Sequence, residues 1–75
     1  SIINIHPSLL PSFKGKNAIQ QTLDAGVTVA GVTAHYVNEE LDGGPIIMQE
    51  AINISKGITH EVLKANLFYL EHSTL

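Results

Sequence analysis

Two β-branched stretches flank a dense run of turn residues, and this arrangement constrains the fold more than any other feature of the chain. Residues 27–37 carry Val27, Val29, Val32, Thr33, Tyr36 and Val37, and a second stretch reads Ile46-Ile47-Met48-Gln49-Glu50-Ala51-Ile52-Asn53-Ile54. Branching at Cβ restricts χ1 and suits a pleated strand better than a helix. Between them stands Asn38-Glu39-Glu40-Leu41-Asp42-Gly43-Gly44-Pro45, where Gly frees the backbone and Pro removes a ladder donor, so the chain reverses there. An antiparallel pair of strands is predicted. Gly31, inside the first of them, marks a bulge or a close approach.

Ahead of the pair, Ser1-Ile2-Ile3-Asn4-Ile5 reads as a buried, parallel strand of an α/β sheet entered midway, so the chain is expected to be a piece of a longer domain. Pro7 and Pro11 then bracket Ser8-Leu9-Leu10, and the missing N–H groups make this stretch a loop. It continues through Lys14-Gly15-Lys16 to Asn17, the predicted N-cap of a helix through Ala18, Ile19, Leu23 and Ala25 that Gly26 stops. A second helix is predicted from a Thr59 cap to about Glu71 or His72, with Glu61 in its first turn and Val62, Leu63, Leu67 and Leu70 near helical spacing.

At 75 residues the chain holds at most one domain, and the absence of Cys removes both disulfide and thiolate-metal staples. A net charge of −3, with four Lys and no Arg, lacks the basic stripe that nucleic-acid phosphates require. Apolar runs of a few residues fall far short of the ~20 that span a bilayer. Small-molecule chemistry in the cytoplasm, with neither nucleic acid nor membrane as partner, is the expectation.

Asn4 and His6 differ by two positions and therefore project to the same side of an extended strand. Singly, each is an ordinary strand-end residue that caps a turn. Together at a strand end, an amide donor and an imidazole facing one cleft can polarise a carbonyl and move a proton, which acyl transfer needs. Asp42, in its Gly-rich turn, is the natural carboxylate to oppose loss of charge from such an imidazole. It is equally able to bond its own turn backbone. The four His lack ligand spacing for a metal. His35 is read as structural or supporting, and His60 and His72 as surface residues.

Three blocks in order, Asn4-Ile5-His6-Pro7-Ser8-Leu9-Leu10-Pro11-Ser12-Phe13-Lys14-Gly15, Gly31-Val32-Thr33-Ala34-His35-Tyr36-Val37 and Glu40-Leu41-Asp42-Gly43-Gly44-Pro45-Ile46-Ile47-Met48-Gln49, closely resemble the phosphoribosylglycinamide formyltransferase family. The resemblance implies part of a Rossmann-like α/β fold: one parallel strand, a helix, an antiparallel strand pair and a C-terminal helix. In this reading residues 1–75 are the C-terminal part of a catalytic domain, separate from its nucleotide-binding half. It implies Asn4, His6 and Asp42 as the catalytic set, and Asn4 with Asn38, Glu39, Glu40 and Leu41 lining the folate pocket. Phe68, Tyr69, Leu70 and Glu71 are implied to touch the nucleotide, with Glu71 at the ribose.

The implied reaction carries a formyl group from 10-formyltetrahydrofolate, the cosubstrate, to the amine of glycinamide ribonucleotide, with no metal. Formyltetrahydrofolate deformylase, which passes the group to water, shares part of the pattern in Thr33-Ala34-His35-Tyr36-Val37 and Lys14-Gly15-Lys16-Asn17. Pro7 and Leu9 fit the transferase better. Methionyl-tRNA formyltransferase would want a basic surface, and a catalytically silent binding module is the reading from another class. Lys56-Gly57-Ile58 departs from the acidic or Asp-Ser/Thr entry that the family more often has before its last helix.

Overall fold

A computed structural model describes residues 2–74. The order is β1 (Ile3–His6), α1 (Ala18–Ala25), β2 (Val29–Tyr36), β3 (Ile46–Asn53) and α2 (His60–Thr74). The three strands form one sheet in the order β1-β2-β3. The turn-rich segment does reverse the chain, and β2 and β3 pair antiparallel from Val29 opposite Asn53 to His35 opposite Ile46. A bulge between Ala34 and His35 gives β3 one extra residue, Ile47, because Ala34 faces Met48 while His35 faces Ile46.

The α/β class and order of elements match the expectation, but β1 needs correction. It pairs antiparallel with β2, Ile3 opposite Tyr36 and His6 opposite Thr33. Ile3 is also 46% exposed, so β1 is an edge strand among the described residues. A β-branched run reports extended backbone without reporting the direction of its neighbour, so burial and parallel pairing did not follow from it. Ser1, read as the start of this strand, lies outside the described residues.

Side chains alternate across the sheet and divide it into two unlike faces. Ile5, Ala30, Val32 and Ala34 point one way, where Leu63 and Leu67 of α2 close a core with Ile19, Leu23 and Ile52 packed around it. Asn4, His6, Gly31, Thr33 and His35 point the other way. Over Gly31 and Thr33 that second face is covered by the loop of residues 7–15, which packs Leu9 against Gly31 and bonds Thr33.

Both helix starts test cap chemistry. Thr59 caps α2 as expected, its Oγ1 accepting from Val62 N at 3.2 Å. Asn17 does not cap α1 with its side chain: it sits left-handed at φ 60 with no such bond. Gln21 instead closes the segment, its Nε2 donating to the Lys14 and Lys16 carbonyls at 2.9 Å each. Gly26 ends α1 in the left-handed conformation, as expected. In α2 the buried stripe runs through Leu63 and Leu67, whereas Val62 lies off it at 51% exposure, and the helix continues to Thr74.

Candidate functional site

The polar face of the sheet and the 38–45 turn meet at Asp42. This residue adopts φ 52, a left-handed conformation that Asp tolerates better than most side chains. Its carboxylate bonds a distant backbone group: Oδ2 accepts from Gly15 N at 2.6 Å, joining the 7–15 loop to the 38–45 turn. The same Oδ2 lies 3.4 Å from His6 Nδ1. Oδ1 lies 3.8 Å from His35 Nε2. A single buried carboxylate thus stands between two buried imidazoles, with side-chain exposures of 8% for Asp42, 8% for His6 and 4% for His35.

His6 is engaged at both nitrogens. Its Nε2–H donates to the Phe13 carbonyl at 2.9 Å, while Nδ1 faces Asp42. His35 differs. Its Nδ1–H donates to the Tyr36 carbonyl at 3.2 Å, and Nε2 is buried with no hydrogen-bond partner among the described residues.

Above this group opens a cleft of about 270 Å³ lined by Asn4, His35, Val37 and residues 38–42. Asn4, exposed on β1 and directly opposite His35, supplies an amide to it. The rim is a turn in which Asn38 Oδ1 accepts from Glu40 N at 2.9 Å and Gly43 N donates to the Glu40 carbonyl at 3.2 Å. Glu39, Glu40 and Leu41 are exposed there.

The structure therefore brings together Asn4, His6, Asp42 and the 38–41 turn, with His6 beneath the cleft rather than on its wall. It does not bring Phe68, Tyr69, Leu70 and Glu71 to the cleft. They belong to α2, which packs on the opposite face of the sheet, and Phe68 and Tyr69 are 60% and 76% exposed. His35 has a larger place than sequence reasoning allowed, because the residue lines the cleft and its buried Nε2 stands 3.8 Å from Asp42 Oδ1. The two-residue spacing of Thr33 and His35 held the signal, but only the register against Asn4 and His6 makes it readable.

All 75 residues match the family model described as formyl transferase. The chain belongs to the formyl transferase family. It is 55% identical over 71 residues to phosphoribosylglycinamide formyltransferase of Bacillus subtilis, covering 95% of this chain and 36% of that protein. It is 57% identical over 54 residues to formyltetrahydrofolate deformylase 2, mitochondrial, of Arabidopsis thaliana, covering 72% of this chain and 16% of that one. The crystal structure of phosphoribosylglycinamide formyltransferase from Anaplasma phagocytophilum superposes with a TM-score of 0.91 at 56% identity, over 95% of this chain and 35% of that one. The chain thus spans little more than a third of the Bacillus formyltransferase, and its strands and helices are those of a formyl transferase fold.

Proposed function

We propose that the polypeptide transfers a formyl group from 10-formyltetrahydrofolate to the amine of glycinamide ribonucleotide, a step of de novo purine synthesis, in the cytoplasm. What supports this reading is the Asp42 carboxylate set against His6 Nδ1 at 3.4 Å beneath a cleft that Asn4 lines. Similarity to the Bacillus phosphoribosylglycinamide formyltransferase supports the acceptor, and similarity to formyltetrahydrofolate deformylase supports a formyl folate as the donor. Both partners are small molecules. Among the described residues no helix is long and apolar enough to cross a membrane.

In this reaction the neutral amine attacks the formyl carbon, a C–N bond forms, and the carbonyl oxygen gains negative charge. Asn4 donates to that oxygen from the cleft wall. The His6 Nε2–H exchanges the Phe13 carbonyl for the oxyanion as charge develops, with the Asp42 carboxylate 3.4 Å from the opposite ring nitrogen. A preorganised oxyanion donor is worth about 3–4 kcal/mol, less for His6 by the cost of releasing the Phe13 carbonyl. Collapse of the intermediate breaks the bond to the folate nitrogen, and the proton released by the amine returns to that nitrogen through water held at Asp42. The 38–41 turn offers its backbone groups to the folate ring. Glu71, with Phe68, Tyr69 and Leu70, is proposed at the ribose and nucleotide on the resemblance alone, apart from the cleft.

Similarity to the deformylase favours a second reading, transfer of the same group to water. A product assay on the polypeptide as naturally encoded separates the two. Formylated nucleotide formed in step with tetrahydrofolate supports the transferase; formate released at the same rate with or without the nucleotide refutes it. Ligand binding without either product indicates the silent module.

A further inference from the structure

The loop that carries the Phe13 carbonyl is tied to β3, a strand that does not line the cleft among the described residues. Thr33, wholly buried on the polar face, receives Leu10 N–H on its Oγ1 at 3.0 Å and donates from the same oxygen to the Ser8 carbonyl at 2.7 Å. Gln49 Nε2 completes the hydroxyl by donating to it at 3.0 Å, and donates also to the Leu10 carbonyl at 2.8 Å. A hydroxyl has one proton and two lone pairs, and all three are now used. With both lone pairs occupied, the Thr33 proton has only the Ser8 carbonyl to reach.

From Leu10 the constraint passes along a short, closed path to His6. Ser12 N donates to the Leu9 carbonyl at 3.0 Å, and Ser8 Oγ donates to the Ser12 carbonyl at 2.6 Å. Phe13 follows at φ 57, a conformation few L side chains adopt, and its carbonyl receives His6 Nε2–H. Removing the Gln49 amide leaves the buried Leu10 carbonyl without this donor and frees the Thr33 hydroxyl to turn. The loop then loses its tie to β3, and the imidazole loses the fixed acceptor that sets its rotation.

We propose that Gln49 is a positioning residue for His6, acting through Thr33 and the Leu10 carbonyl on the loop that presents the Phe13 carbonyl to the imidazole. The kinetic consequence rests on the formyl-transfer reading; the structural one does not. Donation, rather than size, is what Gln49 supplies. Gln49→Met keeps length without a donor, Gln49→Glu replaces the donor by an acceptor facing Leu10 O, and Gln49→Lys keeps a donor of similar reach.

The test uses the polypeptide as naturally encoded and two readouts, the NMR signal of the His6 Nε2 proton and steady-state formyl transfer. Gln49→Met is expected to lose the slowly exchanging ring proton and to lower kcat roughly 10- to 100-fold, the scale set by misplacing a reacting group by about 1 Å, with KM for both substrates within about twofold. Gln49→Glu falls at least as far, and Gln49→Lys falls less than either. A wild-type ring signal in folded Gln49→Met overturns the proposal, as does an equal loss in Gln49→Met and Gln49→Lys. Should Gln49→Glu fail to fold, the Met and Lys pair decides. If the unaltered protein transfers no formyl group, the formyl-transfer reading fails while the ring signal still decides the role of Gln49.

Discussion

One oxygen of Asp42 serves both Gly15 N, at 2.6 Å, and His6 Nδ1, at 3.4 Å. The backbone bond fixes where the carboxylate stands, so Nδ1 of the imidazole faces a charge that cannot drift while the Phe13 carbonyl holds Nε2. A charge-assisted bond from a backbone N–H is short and strong, which accounts for a turn Asp bonding across 27 residues of sequence instead of to its own loop.

Replacing either side of this pair separates charge from position. Asp42→Asn keeps an acceptor for Gly15 N but removes the charge opposite His6. It is expected to lower formyl transfer about 10²-fold, with circular dichroism unchanged. His6→Ala removes the donor itself and should cost about 10²- to 10³-fold or more. Normal turnover in His6→Ala, measured by product formation, would sink the proposed mechanism.

Asn4 offers a different expectation, because it pairs with His35 through the strand backbone while its exposed side chain makes no hydrogen bond among the described residues. Asn4→Ala should leave the melting temperature within about 1 °C, consistent with the small effect of surface changes. Yet kcat should fall about 10²-fold, as for loss of one oxyanion donor. Paired melting and rate measurements check both halves.

Glu71 stands apart from the cleft, half-buried in the last turns of α2. If its carboxylate holds the ribose, Glu71→Ala raises KM for the nucleotide roughly tenfold, equal to about 1.4 kcal/mol, and leaves KM for the folate unchanged. Equal shifts in both constants count against the assignment.

Much of this was legible in the residues themselves. The antiparallel pair was announced by residues 38–45, the loop by Pro7 and Pro11, and the α2 start by Thr59, because each rests on local chemistry that neighbours in sequence decide. The direction of β1 was not legible, since strand pairing is a long-range property. Asp42 could be read as a candidate partner of His6, but their meeting depends on Gly15, a backbone donor with no side chain to signal it. The Thr33 and Gln49 bonds escaped for a related reason: each residue alone is an ordinary polar position on a strand, and only the register of Thr33 opposite Gln49 makes them one unit.

Gly31 ties that register to the loop and gives the sharpest stability test. A Cβ there would stand 2.5 Å from Leu9 Cδ2 and press on the Glu50 carbonyl. The first neighbour is a side chain that can yield, and the second is β3 backbone paired to β2 that cannot. Gly31→Ala is therefore expected to destabilise by about 1–3 kcal/mol, the usual range for overpacking, read as a shift in the urea midpoint. Trimming Leu9 relieves only part of the clash. In the double variant Leu9→Ala with Gly31→Ala, the Gly31 cost should fall below its single-variant value without vanishing, because the Glu50 carbonyl still opposes the new methyl group. Strict additivity of the two changes would mean that Leu9 does not limit the approach at Gly31. Complete rescue would mean that the β3 backbone has room to move.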